Sequence, residues 1–185
     1  LKPLSVAHTS MFIVATWNCA TLNDQDRIAA LHNPSTDLGK AQVVFLQEMR
    51  LAAPHSLPRS NPFLRLHHPF ANRAHQAVLG KDAGILIRNT TWQIEETGLY
   101  DYATYARVQI PETEPAVGKD IRTLHLWSIH APPDIESRTA FWNADVPGLA
   151  RLDAAVSQPH TAAIIGADWN AIVSPTLDEY PPRSS

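Results

Sequence analysis

With one cysteine, Cys19, the chain cannot build an intrachain disulfide framework or a cysteine-rich zinc site. Glycine is scarce as well: seven glycines against fifteen prolines point to many loops with stiff corners. No apolar run approaches the roughly 20 residues that a membrane-spanning helix needs. Positive charge is short too. The net charge of -3 with His neutral gives no overall basic field to hold nucleic acid non-specifically, which leaves only local patches. The first residues, LKPLSVAHTSMFIV, lack the basic start and long apolar core of a secretory signal, and nothing marks the chain for export. They do not begin with Met, as expected of a fragment, and residues 1–10 read as a disordered or tag-like lead. There is no internal repeat and no low-complexity tract.

What is present suits a single domain over 1–185. The chain is 44% apolar and 18% charged, enough for a real core. Six apolar segments predict strands: 11–17, 42–47, 83–88, 104–110, 122–129 and 161–167. Several are apolar on nearly every residue, the pattern of strands buried on both faces. Helices are expected over 25–32, capped by Asp24, and over 135–156, broken or kinked at Pro147. Residues 50–76 read as a long loop with a short helix at most, and 111–120 as a hairpin loop. The sum predicts an α+β fold: two packed, mostly antiparallel sheets flanked by helices in four layers.

The strand ends carry the chemistry. MFIVATW leads to Asn18, VVFLQ to Glu48, LHLWSI to His130, and AAIIGA to Asp168 and Asn170. On a continuing strand, side chains two apart share a face, so Asp168 and Asn170 are expected to point the same way. Each of these residues also has a plain reading as a turn former or a solvated strand terminus. If the ends gather at one rim, the pocket suits metal-assisted phosphodiester hydrolysis. Carboxylate and neutral oxygens fit a hard cation such as Mg²⁺, and a second carboxylate can orient or deprotonate water. A carboxamide can bond phosphoryl oxygens without adding negative charge.

The set TWNCATLN (16–23), FLQEMR (45–50), IHAPPD (129–134) and GADWNAIVSPTLD (166–178) resembles the endonuclease/exonuclease/phosphatase superfamily, the fold of deoxyribonuclease I. It is most similar to the endonuclease domain of non-LTR retrotransposons. The resemblance implies Glu48 as main metal ligand, with Asn18 beside it on metal or phosphate. It implies Asp168 as the group that orients or activates the nucleophile. Asn170 would bind the scissile phosphate or metal, and His130 would stand near the phosphate where the family often has tyrosine. Asp178 matches a recurrent acidic position that supports the site from behind. The implied cofactor is Mg²⁺, with Mn²⁺ as substitute. The implied substrate is DNA, nicked to leave a 3′-hydroxyl that primes reverse transcription by a following polymerase domain. An intracellular, nuclear protein without a membrane partner would follow. Relatives that act on RNA, inositol phosphates or lipid head groups share the pocket chemistry, so these substrates stay open.

The chain departs from the pattern in places. GADW replaces GDF, His130 replaces tyrosine, and Glu179 stands where retroelement relatives often have arginine. Family members continue through further strands to an Asp-His pair, and no such pair occurs in these 185 residues. The second half of the fold is therefore expected to be incomplete, and a remnant without turnover is the competing reading. His32, His55, His67, His68, His75, His125 and His160 lack metal-ligand spacing and read as surface or packing residues. Arg65, Arg73, Lys81 and Arg88 read first as solvated charge, with lining of a phosphate side as the alternative. Trp17, Trp127, Trp142 and Trp169 read as core, with Trp169 alternatively packed under the site floor. Cys19 reads as a small core residue.

Overall fold

A computed structural model of the chain describes residues 12–20, 22, 25–50, 76–114, 117–118, 120–143 and 152–170. The expectations placed on residues 1–10, Asp24, the loop up to residue 75, Pro147 and Asp178 lie outside the described residues. So do those on His55, His67, His68, His75, Arg65, Arg73 and Glu179.

Two four-stranded sheets face each other. The first runs β1 (Val14–Asn18), β2 (Val43–Gln47), β4 (Ala83–Ile87), β3 (Gln76–Leu79). The second runs β5 (Gln93–Leu99), β6 (Ala103–Gln109), β7 (Thr123–His130), β8 (Thr161–Asp168). Four of the six pairings are antiparallel; β1 with β2 and β7 with β8 are parallel. Alternation sorts the side chains into layers. Val43, Phe45, Ile85 and Ile87 of one sheet meet Val108, Leu124 and Leu126 of the other, in an apolar layer between the sheets. Burying side chains of this size is worth roughly 1.5–3 kcal/mol each.

The outward faces are covered by helices. Val44, Leu46 and Leu86 pack with Leu31 of α1 (Gln25–Leu31) and Leu38 of α2 (Asp37–Lys40). Tyr105, Trp127 and Ile129 pack with Phe141 of α3 (Ile135–Asn143) and Leu152 of α4 (Leu152–Val156). The result is the four-layer α+β sandwich that the residue pattern predicts.

The details differ in three places. β2 and β4 are buried throughout, but β1 and β8, each at the edge of its sheet, are largely half-exposed. β5 has no apolar run; its sequence QIEETGL is held as an edge by pairing to β6, with a bulge between Ile94 and Glu96. Its acids turn to Arg107, whose Nε lies 3.4 Å from Glu95 Oε2 and 3.7 Å from Glu96 Oε2. β3 begins at Gln76, the last residue of the stretch expected to be loop.

Candidate active site at the strand ends

Parallel pairing within each sheet brings like ends together. Asn18 lies beside Gln47 in the first sheet, and His130 lies opposite Asp168 in the second. Counting by twos from the inward Val14, Phe45, Leu126 and Ile164 puts Asn18, Gln47, His130 and Asp168 on the faces between the sheets. By the same count Glu48 would face outward, like Leu46. The chain leaves β2 at Glu48 with φ of 52°, a left-handed backbone. That conformation costs roughly 1–2 kcal/mol for an L-residue, and the Glu48 carboxylate nonetheless meets the inward-facing groups.

The Asn18 carboxamide ties the two sheets together at this end. Its Nδ2 donates to Glu48 Oε1 at 3.0 Å and to Asp168 Oδ2 at 2.8 Å. Its Oδ1 accepts from Ala20 N at 3.1 Å, across a turn in which Ala20 has φ of 50°. Arg50 Nη2 donates to the other Glu48 oxygen at 3.0 Å. His130 Nε2 stands 3.9 Å from Glu48 Oε1. One donor atom each from Glu48, His130 and Asp168 falls within 4.8 Å of the others. The two carboxylates and the His130 imidazole are a donor set that fits a divalent cation, while the Asn18 carboxamide turns its N–H groups, not its oxygen, toward the carboxylates.

Beneath this rim lies a buried polar seam. Gln47 is 1% exposed, and its Nε2 donates to Ser128 Oγ at 3.2 Å and to Gly166 O at 3.3 Å. Its Oε1 accepts from Thr16 Oγ1 at 3.0 Å, and Ser128 Oγ donates to Leu46 O at 2.9 Å. The Gln47 bonds to Ser128 and Gly166 and the Ser128 bond to Leu46 cross the gap between the sheets and fix the rim's two halves relative to each other, while Thr16 ties Gln47 to its own sheet. The approach is close: a Cβ on Gly166 would lie 2.3 Å from Phe45 Cγ.

Asn170 is not beside Asp168 on one strand face. β8 ends at Asp168, and Asn170 follows with φ of 46°. Its backbone N–H donates to Asp168 Oδ1 at 3.1 Å, and its Nδ2 donates to Ala131 O at 2.5 Å. The turn replaces strand alternation because an asparagine tolerates left-handed backbone and bonds its own neighbourhood. Arg138 on α3 closes the loop pair by donating to Asn170 O, and to Pro133 O at 3.0 Å. Asp134 accepts from Ser137 N at 2.7 Å, and this backbone bond holds its carboxyl below the usual carboxylate range.

Other candidates separate clearly. Trp127 is fully buried, while Trp142 and Trp169 are 39% and 45% exposed, contrary to a core reading. Their rings lie 5.3 Å apart, with Trp169 just beyond the end of β8 and Trp142 on α3. Arg88 neither waves in solvent nor lines the site; it donates to the carbonyls of Ala41, Leu31 and Leu38. Lys81 is exposed. His125 packs against Tyr105 and Trp127, and His160 occupies an exposed turn. Cys19 is buried. Gln47, Ser128, Arg50 and Arg138 were not singled out from sequence. For Gln47 and Ser128 a signal existed: each shares the inward face with a site residue on its own sheet.

No family model matches the chain, and no curated protein matches it by sequence. Among solved structures it resembles the endonuclease domain of TRAS1, a telomere-specific non-LTR retrotransposon. The TM-score is 0.52 at 12% identity, over 88% of this chain and 60% of that one. Humanized D. rerio TDP2 aligns at 0.48 and 18% identity over 85% and 61% of the two chains. The human Nocturnin catalytic domain with bound sulfate aligns at 0.47 and 12% over 84% and 63%. The chain thus spans less than two thirds of the length of each. At 12% identity the TRAS1 likeness speaks for the fold: this chain has the endonuclease/exonuclease/phosphatase, or DNase I-like, fold implied by its motifs.

Proposed function

We propose that the chain carries the divalent-metal site of a phosphodiesterase, and that the protein it belongs to is a DNA-nicking endonuclease of the non-LTR retrotransposon type. The observation that carries this reading is the meeting of Asn18, Glu48, His130 and Asp168 at one end of both sheets. Four separate strands deliver them, and Glu48 reaches them from a strained backbone. Strain of that kind on a ligand-type carboxylate is a mark of function.

Glu48 is the main metal ligand in this reading, with the Asn18 carboxamide beside it. A bound Mg²⁺ or Mn²⁺ would supply Lewis-acid stabilisation of a phosphoryl oxygen and of the leaving oxygen. Asp168 accepts a proton from the attacking water or orients it. Asp168 can do so because Asn18 Nδ2 and Asn170 N hold one oxygen each. Asn170 acts first as a positioning residue, through that backbone bond; contact of its carboxamide with phosphate requires release from Ala131 O. His130 stands close enough to Glu48 to border a bound phosphate. Hydrolysis would leave a 3′-hydroxyl, suited to priming a reverse transcriptase elsewhere in the same protein, in the nucleus.

The test is nicking of supercoiled plasmid by the protein expressed from its full reading frame, with Mg²⁺ or Mn²⁺. Nicking abolished by Glu48→Gln and by Asp168→Asn supports the reading. Binding of DNA without turnover in the unaltered protein would favour a non-catalytic remnant.

A further inference from the structure

We propose that His130 makes this rim a mixed oxygen–nitrogen centre that binds a later first-row transition ion, with Co²⁺ as the probe, in preference to Mg²⁺. The inference deepens the metal-dependent reading above and rests on it. Donor atoms around one ion, each roughly 2.0–2.2 Å from it, lie at most about 4.4 Å apart. His130 Nε2 and Glu48 Oε1 already satisfy this at 3.9 Å. The triad with Asp168 spans no more than 4.8 Å, so a contraction of a few tenths of an ångström suffices.

The imidazole is not free to leave. His130 pairs in register with Asp168 across β7 and β8, and its backbone N–H donates to Tyr102 O at 2.9 Å. Its side chain is 13% exposed. Nδ1 is shut off from solvent and has no hydrogen-bond partner among the described residues. Only Nε2 is turned to the carboxylates. The ring therefore offers one nitrogen to whatever sits between Glu48 and Asp168.

That nitrogen matters for ion choice. Mg²⁺ prefers a near-octahedral shell of oxygens and gives up water reluctantly. Imidazole suits the later first-row ions, whose affinities for nitrogen-bearing sites rise from Mn²⁺ onward. Two carboxylates with one imidazole form a set that a transition ion can use fully and Mg²⁺ only in part.

The experiment measures ion binding by calorimetry and by the visible absorption of bound Co²⁺, on the protein from its full reading frame without DNA. The unaltered protein is expected to bind Co²⁺ at least about tenfold more tightly than Mg²⁺. His130→Gln is expected to weaken Co²⁺ by about tenfold or more and Mg²⁺ by no more than about twofold. Circular dichroism checks that the variant folds, and His130→Asn serves if it does not. Equal affinities in the unaltered protein, or equal losses for both ions in the variant, overturn the His130 assignment. Glu48→Gln separates the two levels. Co²⁺ binding that survives Glu48→Gln overturns the metal reading of the rim itself. Loss there, with no loss in the His130 variant, overturns only the nitrogen ligand.

Discussion

Asn18 and Asp168, 150 positions apart in sequence, are joined by a 2.8 Å hydrogen bond from the Asn18 carboxamide, which also donates to Glu48 at 3.0 Å. A neutral donor between two carboxylates offsets their mutual repulsion. Asn18→Asp puts a third carboxylate there. It is expected to lower the thermal midpoint, by an amount worth about 1–2 kcal/mol, when divalent ions are chelated. Added Mn²⁺ should restore more of the midpoint in this variant than in the parent. Thermal melts with and without the ion check it, and a variant as stable as the parent in chelator contradicts it.

Glu48 holds a left-handed backbone, and its carboxylate accepts from Asn18 Nδ2. Glycine adopts that backbone without the side-chain penalty. Glu48→Gly is therefore expected to be more stable than Glu48→Ala by about 0.5–1 kcal/mol, after glycine's greater freedom in the unfolded chain is subtracted. Both should lose nicking. Urea unfolding of the two variants decides; an alanine variant as stable as the glycine variant would show that the backbone relaxes.

Much of this was legible in the sequence. Strands β2, β4, β6 and β7 announce themselves as apolar runs, and the ends of β1, β2, β7 and β8 carry the polar residues that meet. What alternation could not reveal is where strands stop. It places Glu48 outward and Asn170 inward, and the left-handed turns at both residues reverse the expectation. β5 escaped because its acids are stabilised by Arg107, a partner on another strand.

The buried seam gives a stability test. Gln47→Leu leaves Ser128 Oγ, Gly166 O and Thr16 Oγ1 without their shared partner. A loss of about 1–3 kcal/mol is expected. A double-mutant cycle with Ser128→Ala should show coupling of about 0.5–3 kcal/mol, since the pair sits in one network. Additive losses would show the seam to be two independent contacts.

Gly166 tests the sheet spacing. An added Cβ would meet Phe45 Cγ at 2.3 Å, well inside contact distance. Gly166→Ala is expected to cost about 1–3 kcal/mol through overpacking. In a Phe45→Ala background, which removes Cγ and Cδ2, the same change should cost less. Equal cost in both backgrounds would place the strain elsewhere.

The pH dependence of stability follows from His125. Burial, and then the Arg107 charge, lower its pKa below the ordinary 6.5. Its ring shares a 2.9 Å hydrogen bond with the Tyr105 hydroxyl. The folded state keeps the neutral ring, while the unfolded chain takes up a proton near pH 6.5. The His125 contribution is thus fully present above that pH and is lost as pH falls through the lowered folded pKa. Urea midpoints between neutral pH and mildly acid pH should fall, and His125→Gln should flatten that slope.

The most direct measurement of the catalytic reading is plasmid nicking by the protein from its full reading frame, in Mn²⁺ or Mg²⁺, beside its Glu48→Gln and Asp168→Asn variants. The expected result is ion-dependent nicking that drops at least about a hundredfold in either variant while the fold persists. Nicking that proceeds unchanged in Glu48→Gln, or that needs no divalent ion, would contradict it.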